Sequence, residues 1–274
     1  MALFNSFGLA LSGGGARAII HAGFLQALDE NKLKPTIISG ASMGAIIGAM
    51  YASGVAPSDM LKAIVKPELT KLPAWIGRKG GIGSLVVLRE KLSLFLKVKT
   101  FEELQIPLII SVTNLNRGCN ELISSGNLID WVVASASIPI IFQPVVINNY
   151  YYVDGGLTNN LPIACLQKEN RLVIALESNH LEEVDTSFNS IKTVSERTLF
   201  LAVNNTLKDQ LGASDLFIDA PEVRKYGIFD FQFAEELFRI GNEIGKRNTE
   251  KIRSLLESNG DFDQLPKELT LKSD

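Results

Sequence analysis

The sequence is poor in cysteine and histidine, with two of each among 274 residues. Two cysteines, Cys119 and Cys165, are too few for a disulfide framework. Both lie in apolar-rich stretches, so we expect them to pack as small core side chains. A reducing cytosol is the compartment that this cysteine usage favours. The two histidines leave few histidine candidates for a general base.

Long apolar runs, a leader-like start and a positive net charge are also missing. No apolar run reaches the roughly 18–20 residues that a membrane-spanning helix needs. Residues 1–7 hold neither the basic stretch nor the apolar stretch of a signal peptide. The formal net charge is −3, so no cationic field favours nucleic acid. We therefore predict a cytoplasmic protein with no nucleic-acid partner, for which peripheral contact with a membrane stays open.

The overall composition is that of an ordinary globular protein. Hydrophobic residues make up 46% of the chain and charged residues 21%. The length is ample for a buried core, and we see neither internal repeats nor low-complexity segments. We predict that residues 1–274 form a single domain.

Near the amino terminus, two short apolar strands are predicted to flank a helix. The strands are residues 7–11 and 36–39, and apolar positions between Ala16 and Leu28 follow helical spacing. A strand, helix and strand in this order form a right-handed unit with parallel strands. A second, very apolar helix is predicted at 43–53. Further strands are predicted at 107–114, 120–124, 144–147, 150–153, 171–177 and 216–219, and helices at 127–137, 191–211 and 233–256.

Two glycine-framed turns follow the first two predicted strands. Residues 12–17 read SGGGAR, and residues 40–44 read GASMG. The second has the G-x-S-x-G form of a nucleophile elbow, which exposes a serine hydroxyl on a strand-to-helix turn. The first is a glycine loop at a helix start, where backbone N–H groups stabilise negative charge. A nucleophile, Ser42, beside an anion cradle suggests acyl-transfer chemistry.

The glycine loop also fits a dinucleotide-binding fingerprint, because Gly13, Gly15 and Ala18 have its spacing between a strand and a helix. That fingerprint requires an acidic residue at the end of the second strand to bind the ribose. Ser42 stands in that region, and Asp29 comes too early. An oxyanion cradle therefore explains both turns, whereas a nucleotide-binding module, the alternative, explains one.

A serine nucleophile needs a general base within hydrogen-bonding reach. Asp154 ends a predicted strand and precedes two glycines, a pattern that suits a base but also suits a turn aspartate. Ser42, Asp154 and His180 stand in the chain order of an α/β-hydrolase triad. Only two predicted strands precede Ser42, which disfavours that fold. We expect His21, inside the first helix, to be structural.

Residues 57–99 are rich in lysine and arginine, with glycine hinges at the centre. Trp75, Arg78 and Lys79, together with residues 85–96, suggest a mobile cover or a contact with a lipid surface. An ordinary surface helix is the alternative interpretation.

In these motifs the sequence resembles the patatin-like phospholipases, over about residues 7–165. The matching segments are 13–17, 40–44, 154–156 and 134–139 with Phe142 and Pro144. The family motif usually has glycine where Ala18 stands, and we expect the change to have a small effect. The helices within about 190–259 would complete the domain.

The resemblance implies a three-layer α/β/α fold with a largely parallel sheet and a Ser–Asp dyad without histidine. Ser42 would be the nucleophile and Asp154 its general base. Phospholipids or other acyl lipids would be the substrates, with neither metal nor cofactor. The oxyanion hole and the turns that support the dyad would come from Gly13, Gly14, Gly15 and Arg17, and from Gly40, Gly44, Gly155 and Gly156.

Overall fold

The computed structural model describes residues 6–64, 82–96, 98–139, 141–167, 172–179, 183, 187–207 and 210–262. Trp75, Arg78 and Lys79, predicted to contact a membrane, lie outside these ranges. His180, the histidine of the alternative triad, also lies outside them.

A mixed sheet of eight strands forms the centre of the described part of the chain. The strands are β1 (Phe7–Leu11), β2 (Ile37–Gly40), β3 (Leu108–Asn114), β4 (Cys119–Ile123), β5 (Val145–Ile147), β6 (Tyr150–Asp154), β7 (Leu172–Glu177) and β8 (Leu216–Asp219). Their order is β5-β6-β3-β2-β1-β7-β8, and β4 also pairs with β3. The strands from β3 to β8 in this order are parallel neighbours, whereas β4, β5 and β6 pair in antiparallel fashion.

Helices cover both faces of this sheet. They are α1 (Ile20–Glu30), α2 (Met43–Ala52), α3 (Pro57–Ile64), α4 (Ile82–Phe95), α5 (Leu128–Ser135), α6 (Gly156–Asn159), α7 (Ile191–Asn205) and α8 (Ala234–Phe262). Short 3-10 turns are Gly15–Ile19, Phe101–Glu103, Ala164–Leu166, Leu211–Ala213, Pro221–Val223 and Phe231–Phe233.

Strand β1 contributes to the cores on both faces because successive side chains of a strand point in opposite directions. Phe7, Leu9 and Leu11 join the large core built with α1, α2, α3, α5 and α8. Ala10 joins a smaller core on the other face, whose other buried members are Leu161, Ile163, Leu166, Val173, Ala175 and Leu207. The predicted three-layer α/β/α fold with a largely parallel central sheet is confirmed.

Most predicted elements lie within a few residues of the observed ones, and β8 matches its prediction. In the hairpin between β5 and β6, Asn148 and Asn149 have φ angles of 50° and 66°. Two positive φ angles are what a type I′ turn requires, and asparagine tolerates them.

Several details differ from the sequence-based expectations, and the last helix, predicted at 233–256, continues to Phe262. Helix α7 ends at Asn205 rather than at 211, and the first predicted helix begins as the 3-10 turn Gly15–Ile19. Cys119 is exposed rather than packed in the core, because β4 pairs with β3 alone. The single-domain organisation of residues 1–274 stays a prediction.

Helices α1 and α8 cross with their backbones in contact. A Cβ atom on Gly23 of α1 would lie 2.7 Å from the backbone nitrogen of Asn242. From the other helix, Gly241 faces the backbone of Ile20 in the same way. The crossing therefore requires glycine, and a larger residue would separate the long carboxy-terminal helix from the core.

We predict that Gly23→Ala lowers the free energy of unfolding by about 1–3 kcal/mol, because overpacking forces the two backbones apart. Urea unfolding measures the loss. Gly212→Ala is the control, since among the described residues, its chain neighbours aside, no atom lies within 4 Å of the Cβ that it would add. Equal losses in the two variants would contradict the prediction.

Candidate active site

Ser42 lies on the tight turn between β2 and α2. Its backbone has φ 53° and ψ −124°, which is left-handed backbone that a serine adopts only under constraint. Glycines make room for the turn: a Cβ on Gly40 would lie 2.7 Å from the carbonyl carbon of Gly44. The Ser42 N–H donates to Ser135 Oγ at 2.9 Å, and this hydroxyl donates to the Ser111 carbonyl at 2.8 Å. These contacts fix the direction of the serine side chain.

Asp154 ends β6 and faces Ser42 across the sheet edge. Ser42 Oγ donates to Asp154 Oδ2 at 2.6 Å, and the Gly156 N–H donates to Oδ1 at 2.7 Å. Both side chains of the pair are buried. The predicted nucleophile and base are thus within hydrogen-bonding distance, although 112 positions separate them in the chain.

Burial raises the pKa of Asp154 to about 6, while the hydrogen bonds from Ser42 and Gly156 oppose the rise. Taking a carboxylate out of water disfavours its charged form. A carboxylate with this pKa is a stronger base than an ordinary aspartate and is still ionised at neutral pH.

Close packing after Asp154 explains the two glycines there. A Cβ on Gly155 would lie 2.7 Å from Ser111 Oγ, and one on Gly156 would lie 2.8 Å from Asn160 Oδ1. The glycine at 156 also brings its N–H to the Asp154 carboxylate. Both glycines therefore place the start of α6 against β3 and the base.

The glycine loop lies beside the elbow, after the end of β1. The Gly13 N–H donates to the Asn160 carbonyl at 3.2 Å, and the Ala16 N–H donates to the Ile228 carbonyl at 2.8 Å. Within the described residues, the N–H groups of Gly14 and Gly15 have no protein acceptor, and both residues line the cavity at Ser42. Of the three predicted donors, two are free to bind an anion.

Arg17 connects the glycine loop to the opposite wall of the cavity. Its Nε donates to the Tyr226 carbonyl at 2.5 Å, and its guanidinium lies 5.3 Å from the ring centre of Phe200 in α7. These contacts brace the glycine loop against that wall. The place of Arg17 in the oxyanion hole stays a prediction.

A cleft of about 510 Å³ opens above the Ser–Asp pair. Gly14, Gly15, Ser42 and Asp154 line it, and its other polar lining residues include Arg17, Asn160, Asn179, Thr193, Arg197 and Asp230. Its walls are largely apolar and include Ile138, Ile141, Leu157, Leu199, Phe200, Val203, Ile228 and Phe229. Such a cleft suits a ligand with a long apolar part and one polar reacting group.

Among the described residues, His21 makes no hydrogen bond to Ser42 or Asp154. Its Nε2 lies 2.8 Å from the Ser12 carbonyl, so this nitrogen carries the proton and donates. Complete burial lowers its pKa to about 4, which keeps the ring neutral. Among the residues described, no group of three or more histidine, cysteine or acidic side chains could hold a metal ion.

The polar residues of the site that were not predicted from the sequence include Ser135, Ser178 and Asn179. Ser135 supports the elbow, and the other two bind the glycine loop from the end of β7. The sequence does contain a signal for a site here, because the apolar run of this strand is followed by the polar residues 177–179. The carboxyl ends of parallel strands meet at one sheet edge, where sites form.

We predict that Asp154→Asn raises the free energy of unfolding at pH 8 by about 2–3 kcal/mol. The native pKa of about 6 exceeds the ordinary value of 3.8, so the ionised carboxylate destabilises the fold at alkaline pH. This penalty fades as pH falls through 6 and vanishes near 3.8. Urea unfolding at pH 4 and pH 8 measures the difference between variant and parent.

The exposed Asp59→Asn, whose carboxylate pairs with Lys62, is the control and should change stability little at either pH. An advantage of Asp154→Asn that is the same at pH 4 and pH 8 would contradict an ionised, buried carboxylate.

Comparison with known proteins places these features in context. The family model described as patatin-like phospholipase matches residues 9–166. Lysophospholipase nte1 of Emericella nidulans is 27% identical over an aligned length of 289 residues. The alignment covers 91% of this chain and 18% of that protein. Lysophospholipase NTE1 of Eremothecium gossypii is 23% identical, with coverage of 96% and 19%. The chain thus spans about a fifth of the length of these curated relatives.

Among solved structures, human GIVD cytosolic phospholipase A2, in complex with methyl gamma-linolenyl fluorophosphonate, has a similar fold. The TM-score is 0.52 at 12% identity, and the match covers 96% of this chain and 60% of that one. In the described residues, no helix combines the length and the apolar character needed to cross a bilayer.

Proposed function

The chain belongs to the patatin-like phospholipase family, and from that premise we propose that it is a serine acyl hydrolase acting on carboxylic esters of phospholipids or other acyl lipids. The observation that supports this most is the 2.6 Å hydrogen bond from Ser42 Oγ to the buried Asp154 carboxylate. This pair lines a largely apolar cleft.

In the proposed reaction, Ser42 Oγ attacks the ester carbonyl carbon while its proton passes to Asp154 Oδ2. The tetrahedral intermediate collapses to an acyl-enzyme, and the protonated Asp154 gives its proton to the leaving alcohol. Water then attacks the acyl carbon and gives a proton to Asp154. Release of the fatty acid returns that proton to Ser42.

The N–H groups of Gly14 and Gly15 are the proposed oxyanion donors. Both border the cavity beside Ser42 and have no protein acceptor among the described residues. Each such donor is worth about 3–4 kcal/mol in the transition state. Gly13 is not proposed as a donor, because its own N–H is bonded to the Asn160 carbonyl. Its lack of a side chain instead lets the loop backbone lie close to its neighbours.

Single-chain phospholipids are the substrates that we propose first. The relatives with lysophospholipase names carry this suggestion, and the apolar walls of the cleft are suited to an acyl chain. Peripheral membrane contact through Trp75, Arg78 and Lys79 stays a proposal that rests on the sequence.

We predict that Ser42→Ala and Asp154→Asn each reduce ester hydrolysis to background, since one removes the nucleophile and the other its base. His180→Ala should keep activity within about threefold of the parent, because a dyad needs no histidine. Hydrolysis of lysophosphatidylcholine and of a p-nitrophenyl ester measures this. Circular dichroism confirms that each variant is folded.

Labelling with a fluorophosphonate probe locates the nucleophile independently. Mass spectrometry should find the adduct on Ser42 in the parent and in His180→Ala. If well-folded parent protein gave no adduct, the proposed function would fail. A folded His180→Ala as inactive as Ser42→Ala would replace the dyad by the triad.

We also predict that kcat/KM rises with pH along a limb centred near pH 6, the pKa of Asp154. Only the ionised carboxylate accepts the serine proton, so activity falls on the acid side. Glu177 is the other buried carboxyl beside the glycine loop, and burial raises its pKa to about 7. In Glu177→Gln, the midpoint of this limb should stay near pH 6, even if the maximal kcat/KM changes. A limb that moves or disappears in that variant would assign the titration to Glu177.

A further inference from the structure

The carbonyl oxygen of Gly13 accepts two hydrogen bonds from the end of β7. Ser178 Oγ donates to it at 3.0 Å, and Asn179 Nδ2 donates to it as well. The three side chains at this point, Ser12, Ser178 and Asn179, are all buried. Two side-chain donors on one backbone carbonyl fix the direction in which that carbonyl points.

The direction of this carbonyl decides where the next N–H points. In a planar trans peptide, the C=O of Gly13 and the N–H of Gly14 point in opposite directions. The carbonyl is turned toward Ser178 and Asn179, so the Gly14 N–H points away from them. The loop touches the nucleophile, since a Cβ on Gly13 would lie 2.9 Å from Ser42 Cβ.

A further layer of hydrogen bonds holds the two donors themselves. The Asn179 N–H donates to Glu177 Oε1 at 2.5 Å, and the Ser178 N–H donates to Ser12 Oγ at 2.9 Å. Ser12 Oγ also lies 3.0 Å from Ser178 Oγ. The single Ser178 proton is directed to Gly13, so the Ser12 hydroxyl is free to donate to Ser178. This arrangement leaves Ser178 a fixed donor rather than a freely rotating one.

We propose that Ser178 and Asn179 are positioning residues for the oxyanion hole, which clamp the Gly13 carbonyl and thereby aim the Gly14 N–H at the oxygen of the tetrahedral intermediate. Hereafter these two side chains are called the carbonyl clamp. The proposal rests on the proposed function and adds residues that act through the backbone. Neither residue exchanges a proton with substrate.

Asn179→Ala and Asn179→Asp test the carbonyl clamp. The first removes one donor, and the second keeps the size but sets an oxygen against the Gly13 carbonyl. We expect kcat on a p-nitrophenyl ester to fall about ten- to hundredfold in Asn179→Ala and further in Asn179→Asp. KM should stay within about twofold, because the lost interaction belongs to the transition state.

A matched control separates positioning from stability. Asn248 in α8 makes the same kind of bond, from Nδ2 to the Ile244 carbonyl at 2.9 Å, and does not line the cavity. Asn248→Ala should therefore cost thermal stability without a change in kcat per folded molecule. Ser178→Ala removes the second donor and should lower kcat in the same way as Asn179→Ala.

The outcomes are distinguishable from failure of the proposed function. Parent protein must first form the Ser42 fluorophosphonate adduct, and its absence would refute the acyl hydrolase rather than the clamp. If the parent reacts but Asn179→Ala keeps the parental kcat, the clamp is wrong. A raised KM with unchanged kcat would make Asn179 a substrate contact, and a loss that only follows the folded fraction would make it structural. Both results overturn the proposal.

Discussion

The buried hydrogen bond between Ser42 and Asp154 is the contact around which the site is built, and the register of the sheet sets its length. Gly40 of β2 pairs with Ile110 of β3, and Asp154 of β6 pairs with Val112 of the same strand. Along β3, the positions opposite Gly40 and Asp154 are therefore two residues apart, which is about 7 Å. Strand β6 enters beside the carboxyl end of β3, where Tyr152 pairs with Asn114, and it stops at Asp154 before it crosses to the far edge of the sheet.

This arrangement is costly in stability terms. Burial disfavours the ionised Asp154, and Ser42 holds a backbone conformation that few residues other than glycine adopt. In the proposed mechanism both penalties serve the chemistry, since one strengthens the base and the other exposes the nucleophile. Close packing holds the strained turn in place, because Gly40 lies against Gly44, and Gly44 lies against the backbone of Leu11 and Ser12.

The sequence carries the local features of this site more clearly than its assembly. Apolar spacing and turn residues predict β1, the first crossover helix, the elbow and the hairpin at Asn148. The pairing of Ser42 with Asp154 is different, because it depends on contacts across 112 positions that no local pattern encodes. Chain order and the glycines after Asp154 made that residue a candidate base, and the family resemblance paired it with Ser42 as a dyad.

The remaining differences have local physical causes. Helix α7 was predicted to reach 211 because apolar residues continue beyond Asn205. The helix ends at Asn205 instead, and Leu207 packs in the smaller core. Ser178 and Asn179 carry no periodic signal, and their role follows from the strand order, which sets β7 beside β1.

The same strand order also bears on the rival nucleotide-binding interpretation of the glycine loop. A dinucleotide site needs open N–H groups at the start of the helix to receive a pyrophosphate. Here the Gly13 and Ala16 N–H groups are bonded to Asn160 and Ile228, so the described residues leave the loop only two free donors. Two donors suit a single oxyanion beside Ser42 better than a pyrophosphate. The peptide groups of a glycine-rich loop rotate easily. The loop therefore directs its N–H groups at one oxyanion only if other groups fix their orientation. In the proposed mechanism the polar residues that follow β7 do so, and the glycine loop then serves as a rigid anion site.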